Sequence, residues 1–251
     1  MIDQLVLKVR RQETPFYRFL YNLAVRVKTA NLPLPAFVHP VLSLFYSWHH
    51  ALLAFLRWVA TYFYIEPLFR GRCESIGKRF TLYKMPYVIG HTRIRIGDDV
   101  NFFGKLDIFS ARLFDNPTLI IHNRVDIGSH VTFVVNKEIV IEDDVNVASG
   151  VSFMDSDAHP RDVQERIADL PPRLDEIRPI RICKNVWIGR GASIMKGVTV
   201  GEGAIIGVNS VVVTDIPPYC VAMGNPARVV YKNIGPAKKE TSEPATISDS
   251  N

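Results

Sequence analysis

Residues 182–217 read ICKNVW IGRGAS IMKGVT VGEGAI IGVNSV VVTDIP, six consecutive hexads that each open with an aliphatic residue. The openers are Ile182, Ile188, Ile194, Val200, Ile206 and Val212. The fifth positions are mostly small or aliphatic, at Val186, Ala192, Val198, Ala204 and Ser210. Glycine, aspartate, glutamate and asparagine crowd the positions between them, where a corner needs tolerant backbone angles. The repeat predicts very short strands that turn every six residues, so that three hexads form one triangular coil.

The repeat begins well before residue 182, in shifted registers. Its earlier openers are Ile96, Phe102, Ile121, Ile127, Phe133, Ile141, Val147 and Phe153. Each shift of register implies an insertion at a corner. Because one coil cannot bury its aliphatic face alone, the coils must stack, and we predict a single stacked β domain over residues 73–232.

This pattern resembles the hexapeptide-repeat family, whose members form left-handed parallel β-helices. The handedness is what the resemblance implies, since the general crossover rule for parallel strands favours the opposite hand. The predicted fold is therefore mainly β, a left-handed parallel β-helix (a hexapeptide-repeat solenoid) preceded by N-terminal amphipathic helices. The polar, Pro- and Ser-rich residues 233–251 predict a disordered tail.

The segment of residues 1–72 predicts helices instead of short strands. Between Val41 and Tyr62, polar residues follow one narrow stripe of a helical wheel and aromatic and leucine residues occupy the broad opposite face. A second amphipathic pattern surrounds Arg18–Arg26, and prolines 33, 35 and 40 are expected to separate the two helices. From Met1 to Glu74, nine Lys and Arg residues stand against four acidic ones, a net charge of +5.

Three interpretations of these helices stay open: peripheral docking on an anionic membrane, packing within or between protein chains, and membrane spanning. Residues 36–56 carry no formal charge and are long enough to span a bilayer. His39, Pro40 and the pair His49 and His50 argue against a stable spanning helix. We favour peripheral docking, with cations at the headgroups. No signal peptide is expected, so the predicted location is cytoplasmic, at the inner face of the cytoplasmic membrane.

Charge and motif spacing disfavour several other classes of function. The whole chain of 251 residues has a net charge of +5, which suits phosphates or lipid headgroups, but no basic-aromatic array predicts nucleic-acid binding. Three cysteines and the histidines at positions 91, 122, 130 and 159 lack metal-ligand spacing, so no metal is expected. No Gly-rich phosphate loop precedes the repeat, which disfavours a nucleotidyltransferase.

The hexads break once, after Phe153, with a loop insertion over residues 154–180 that begins MDSDAHPRD. Long insertions at the corners of a solenoid tend to line its working face. A His-Pro pair in such a loop resembles the galactoside, maltose and surface-polysaccharide O-acetyltransferases of the family, in which the corresponding histidine is the general base. The resemblance therefore implies that His159 is the catalytic base. Asp155 and Asp157 are candidates for orienting its ring, with turn formation as the ordinary alternative.

The resemblance also implies a site for the acyl donor, acetyl-CoA. A tryptophan in the family's motif borders the active-site channel, and Trp187 takes that position, with packing against the loop as the alternative. Gly189, Arg190, Gly207 and Val208 occupy the coil corners expected beside the donor. The stretch TDIPPYCVAMGNPARVV resembles the family's ending near the nucleotide, so Arg228 and Lys232 are candidates for phosphate contacts. A lysine common before the Ile-Pro in close relatives is absent here, where Val213-Thr214-Asp215 stands.

The leading hypothesis is a CoA-dependent O-acetyltransferase that acts on a sugar hydroxyl of a surface polysaccharide or its lipid-linked precursor. The alternatives are a CoA-dependent N-acyltransferase on an amino sugar, which needs the same base, and a β-helix that serves as a scaffold without activity. Like its relatives, the protein is expected to be a homotrimer with active sites at the subunit boundaries.

Overall fold

The computed structural model describes residues 2–31, 34–232 and 234–235. The chain divides into two compact units, Met1–Leu56 and Arg57–Asn251. The N-terminal helical elements are α1 (Ile2–Arg11), α2 (Pro15–Thr29), a 3-10 turn (Ala36–Val38), α3 (His39–Ala60), a π-helical turn (Thr61–Ile65) and α4 (Glu66–Arg72). Of the predicted disordered tail, all but residues 234 and 235 lies outside the described residues.

The helices largely follow the amphipathic patterns of the sequence. Thr14 caps α2 by accepting a hydrogen bond from the backbone N–H of Tyr17, and Pro15 occupies its first turn. Helix α1 was not predicted. Pro40 lies in the first turn of α3, where a proline costs no hydrogen bond, and does not separate two helices as expected. None of α1, α2 and α3 has a buried residue.

Three parallel sheets, numbered here in the order in which the chain first enters them, contain the hexads. Sheet 1 contains β1 (Ser75–Ile76), β4 (Arg93–Ile96), β7 (Thr118–Ile121), β10 (Glu138–Ile141), β13 (Ile180–Ile182) and β16 (Thr199–Val200). Sheet 2 contains β2 (Thr81–Leu82), β5 (Asn101–Phe102), β8 (Asp126–Ile127), β11 (Asn146–Val147), β14 (Trp187–Ile188), β17 (Ile205–Ile206), β19 (Val221–Gly224) and β20 (Ala227–Tyr231). Sheet 3 contains β3 (Tyr87–Ile89), β6 (Leu106–Phe109), β9 (Val131–Val134), β12 (Ser152–Met154), β15 (Ser193–Met195) and β18 (Val211–Val212).

From β1 to β18 the chain visits the three sheets in rotation, so each strand pairs with the third strand before and after it. The hexad openers occupy equivalent positions in successive coils, as in the pairs Ile182 with Val200 and Ile188 with Ile206. Every predicted opener from Ile96 to Val212 is buried. After β18 the rotation ends, because β19 pairs parallel with β17, two strands earlier, and β20 pairs antiparallel with β19. The six-residue repeat thus predicted the strands that contain its openers and their part of the core, whereas β1, β2, β3, β6, β19 and β20 contain no predicted opener.

Polar side chains satisfy backbone groups at the corners between sheets 1 and 2. The carboxylate of Asp98 accepts a hydrogen bond from the N–H of Lys78, and the amide oxygen of Asn123 accepts one from the N–H of Asp98. Asp143 continues the series by accepting from the N–H of Asn123 at 2.9 Å. Each side chain therefore ties its coil to the preceding one, in the manner of a repeated cap.

The loop insertion lies between β12 in sheet 3 and β13 in sheet 1 and contains α5 (Val163–Ile167) and a 3-10 turn (Leu174–Glu176). Stacking continues across it, because β13 pairs with β10 and β12 pairs with β15. The insertion therefore leaves the coil from one corner and returns to the same corner without a change in strand order.

Candidate active site

The insertion begins at Asp155, whose side chain is fully buried beneath it. Its carboxylate accepts hydrogen bonds from three successive backbone N–H groups, at 2.9 Å from Asn136, 2.7 Å from Lys137 and 3.2 Å from Glu138. Burial raises the pKa of Asp155 to about 6, against the opposing effect of these hydrogen bonds. Its backbone oxygen accepts from the N–H of Arg178, which closes the base of the loop. The structure thus places Asp155 in the corner and gives its carboxylate partners other than His159.

Ser156 makes the second attachment of the loop. Its hydroxyl accepts a hydrogen bond from the side-chain amide of Asn136 at 2.7 Å, and both residues are buried. The amide oxygen of Asn136 in turn accepts from the N–H of Ala111 at 2.7 Å. Three successive passages of the chain through this corner are therefore linked by one hydrogen-bonded chain that is buried at Asn136 and Ser156. Asn136 was not predicted, because its hexad gives no sign that it lies beneath the insertion.

Asp157 makes the third attachment, through an ion pair that the sequence did not predict. Its carboxylate lies 2.6 Å from the Nζ of Lys196 and 3.5 Å from the Nε of Arg161. The Lys196 side chain is only 5% exposed. Nothing in the sequence marks Lys196, since the third position of these hexads also holds Lys184, Arg190 and Glu202.

His159 lies on the exposed side of these attachments. It is solvent-exposed between Ala158, whose φ is 65°, and Pro160, which is buried. The carbonyl of Pro160 accepts a hydrogen bond from Arg166 at 3.1 Å. Across the described chain, no hydrogen bond joins His159 to Asp155, Asp157 or any other residue. The backbone on both sides of His159 is held, while its imidazole stays open to a substrate.

The residues predicted to contact the acyl donor lie at a different place in the coil. Trp187 is in β14, on the outer side of sheet 2, where 53% of its surface is exposed. Gly189 and Gly207 follow β14 and β17 at stacked corners: a Cβ on Gly189 would lie 2.7 Å from the carbonyl oxygen of Ile206. Close stacking of the coils therefore explains Gly189 without a ligand. Arg190 and Val208 are exposed beside the two glycines.

The C-terminal hairpin brings one further group to this corner. Arg228 on β20 pairs with Met223 on β19, and a Cβ on Gly207 would lie 2.6 Å from the Cβ of Met223. Arg228, Met223 and Val208 are all exposed, and the pairing of Arg228 with Met223 places a cation beside an apolar side chain. Met223 was not predicted to contact the donor, because the sequence around it is typical of a turn. Lys232 is exposed just after β20.

One chain does not bring the two predicted groups of residues into contact. His159 lies in the connection from sheet 3 to sheet 1, whereas Trp187 lies within sheet 2 and its neighbouring corner leads into sheet 3. Among the described residues, no hydrogen bond, ion pair or ring contact joins the insertion to Trp187, Arg190 or Arg228.

Comparisons with known proteins also identify the hexapeptide repeat. Residues 179–214 match the family model described as bacterial transferase hexapeptide (six repeats). The maltose O-acetyltransferase from Clostridium difficile 630 is 30% identical, in a match that covers 66% of this chain and 73% of that one with a TM-score of 0.45. This chain belongs to the hexapeptide-repeat acyltransferase family.

Two other matches bear on this hexapeptide-repeat chain. A Saccharomyces cerevisiae protein named "Putative acetyltransferase YJL218W" is 41% identical over 95 residues, which are 38% of this chain and 46% of that protein. The chain thus matches under half of that relative's length. AntD, an N-acyltransferase from Bacillus cereus in complex with dTDP and 3-hydroxybutyryl-CoA, is 18% identical with a TM-score of 0.50. That match covers 66% of this chain and 87% of AntD and supports the fold alone.

Within residues 2–31, 34–232 and 234–235, no group of three or more His, Cys, Asp or Glu side chains could hold a metal ion. By length and composition, one helical stretch, Ala36–Arg72, is apolar enough to cross a membrane, with a mean hydropathy of 1.2. Only 6% of its most apolar window is buried.

Proposed function

We propose that this protein transfers an acyl group, acetyl in the first instance, from coenzyme A to a hydroxyl group of a sugar. One observation carries the proposal: the longest insertion between the hexads presents an exposed histidine on a backbone that is held on both sides. Membership of a family of acyltransferases supports this role for His159. We further propose that the three sheets form a left-handed parallel β-helix, as in that family.

In the proposed reaction, a ring nitrogen of His159 takes the proton of the acceptor hydroxyl as its oxygen attacks the thioester carbonyl. A backbone N–H at a coil corner stabilises the oxyanion that forms. The carbon–sulfur bond then breaks, and the imidazolium returns the proton to the thiolate of coenzyme A. The products are the sugar ester and free coenzyme A, and no acyl-enzyme is formed.

The donor would bind along the corner after sheet 2. The exposed Trp187, Val208 and Met223 offer apolar surface to the pantetheine arm and the adenine, and Arg228 offers a guanidinium to the phosphates. Arg190 and Lys232 would add charge at the two ends of this surface. The residues present therefore fit a long ligand with an apolar arm and anionic groups.

A homotrimer would bring the two groups of residues together. Because His159 and Trp187 lie on separate sides of one chain, we propose that each active site combines the insertion of one subunit with the donor surface of its neighbour. The test is complementation: His159→Ala and Arg228→Ala are each inactive as homotrimers, and their co-expression restores part of the activity. Mixed preparations that stay inactive would contradict a shared site.

The proposed acceptor is a glycan of the cell surface or its lipid-linked precursor, reached from the cytoplasmic face of the membrane. The support is the cationic, aromatic N-terminal segment, whose side chains on α3 are exposed. An acceptor anchored in lipid would be presented where such a segment docks.

The deciding experiment measures release of coenzyme A thiol from acetyl-CoA with a panel of sugars and amino sugars as acceptors. Wild-type protein should acetylate a sugar hydroxyl, and His159→Ala should lower kcat by ~10²–10⁴-fold, the usual contribution of a general base. His122→Ala, a change at another exposed histidine, should leave kcat unchanged. Turnover of amino sugars alone would favour the N-acyltransferase, and a folded protein that turns over no acceptor would favour the scaffold.

A further inference from the structure

The corner beneath the insertion contains a buried cation that the proposed chemistry does not use. Lys196 lies in the connection from β15 to β16, one coil after the insertion. The strands before the two residues are paired, Met154 with Met195, so Asp155 and Lys196 begin equivalent corners. The Lys196 ammonium lies 2.6 Å from Asp157, and its side chain is 5% exposed.

The energetics of this pair are asymmetric. A buried ammonium without a counter-charge is costly, so Lys196 requires a carboxylate close by. The Asp157 side chain is 32% exposed and could be solvated without Lys196. Asp157 is the only acid in the described parts of the chain that forms an ion pair with Lys196. Lys196, which belongs to the coil, therefore requires the ion pair with the insertion. Asp157, which belongs to the insertion, does not require it, because water could solvate its carboxylate.

The contact lies two residues from His159. Between them, Ala158 has a φ of 65°, a left-handed conformation that a non-glycine residue keeps only when its surroundings hold it. On the far side, Pro160 is buried and bonded through its carbonyl to Arg166. A shift of Asp157 would therefore rotate the backbone that carries the imidazole.

We propose that Lys196 is a positioning residue, which holds His159 in its reactive place by pairing with Asp157. The inference rests on the proposed role of His159 as the general base. Lys196 itself need not touch a substrate. The nitrogen of a general base must lie within about 3 Å of the oxygen whose proton it removes, so the ion pair acts on the chemical step and leaves donor binding alone.

The test compares wild type with Lys196→Met, Lys196→Arg and a matched control, Lys184→Met, which removes an exposed lysine from the same hexad position two hexads earlier. We expect Lys196→Met to lower kcat by ~10²-fold, the scale of a misplacement near 1 Å, with the KM for acetyl-CoA unchanged. Lys196→Arg should restore part of kcat. Lys184→Met should behave as wild type.

A second readout does not depend on activity. Trypsin cleavage after Arg161, Arg166 and Arg173 within the insertion, followed by mass spectrometry on the full-length protein, reports how firmly the loop is held. Cleavage should be about twofold to fivefold faster in Lys196→Met, a loss of local stability on the scale of one ion pair. Asp157→Asn should have the same effect on the loop, and the double variant should be no worse than either single one, because both changes remove one link.

The outcomes separate this inference from the proposed function. A wild-type kcat in Lys196→Met would overturn it, whatever the rate of loop cleavage, as would an equal loss in Lys184→Met. A wild-type protein without transferase activity would refute the proposed function, and the cleavage rates would still show whether Lys196 holds the loop. If Lys196→Met does not fold, Asp157→Asn decides the same question, and a normal kcat in that variant would overturn the inference.

Discussion

Asp155 combines complete burial with three backbone hydrogen bonds, and its titration should be visible in the stability of the protein. Its pKa is raised from the ordinary 3.8 to about 6, chiefly because burial disfavours the charged form. The folded protein therefore binds this proton more tightly than the unfolded chain does. The resulting stability is fully present below about pH 4 and is lost as the pH rises through about 6.

The prediction is a fall in thermal stability between about pH 4 and pH 6.5, worth at most about 3 kcal/mol for a shift of this size. Asp155→Asn should lose this pH dependence, although it weakens the corner at every pH. Asp175→Asn, at an exposed acid of the same insertion, serves as the control and should retain the slope. Equal slopes in Asp155→Asn and wild type would assign the pH dependence to other groups.

Gly189 tests the stacking of successive coils. A Cβ there would lie 2.7 Å from the carbonyl oxygen of Ile206 and 2.8 Å from the N–H nitrogen of Val208, both backbone atoms that cannot turn aside. Gly189→Ala should therefore cost ~1–3 kcal/mol of unfolding free energy, as overpacking does elsewhere, with or without acetyl-CoA. Gly71→Ala in α4 is the control, since no atom lies within 4 Å of its Cβ, and should be neutral or stabilising. An unchanged melting temperature in Gly189→Ala would show that the corner is looser than described.

At the scale of elements, α3 has a composition that its own contacts do not explain. It has no buried residue, and large side chains such as Phe45 and Trp48 are more than 60% exposed. We expect the full-length protein to bind vesicles that contain anionic lipid, by apolar insertion joined to electrostatic attraction. High salt or a carbonate wash should release it. Retention until detergent is added would indicate that Ala36–Arg72 spans the bilayer.

Substitution on α3 distinguishes these outcomes from packing between proteins. The double change Phe45→Ser and Trp48→Ser should weaken vesicle binding by ~10-fold or more, because each buried aromatic side chain contributes on the order of 1.5–3 kcal/mol. Tyr87→Ser, at an exposed aromatic residue of β3, should not. A full-length protein that never binds vesicles would leave packing as the role of these helices and remove the main support for a lipid-linked acceptor.

For the whole molecule, the expectation is a closed homotrimer in solution. Stacked coils leave three outer faces, and a threefold arrangement can cover one face of each chain without leaving an open end. Light scattering in a mild detergent should give a mass three times that of the 28.4 kDa chain. A monomer at micromolar concentration would contradict the trimer and leave His159 and the donor surface on separate sides of one chain.

How much of the molecule could be predicted depends on the range of the interactions concerned. The hexad openers and the buried corners followed from the sequence because each coil contacts only its neighbours, so a local pattern repeats the same burial. The exposed His159 followed from the break in that pattern. The first-turn position of Pro40 was missed because a proline fits the first turn of a helix as well as the linker before it, and helix α1 was missed although its sequence is amphipathic.

The sequence by itself determined that this chain is a stack of hexads with one insertion that carries a histidine. Only the tertiary structure decided what holds that histidine: Asp155 binds the backbone of the preceding coil, and Asp157 pairs with Lys196 of the following one. Such partners lie a whole coil apart, and the insertion changes the number of residues in that coil. The hexad register therefore no longer shows which side chains meet. The path of the inserted residues determines these contacts instead.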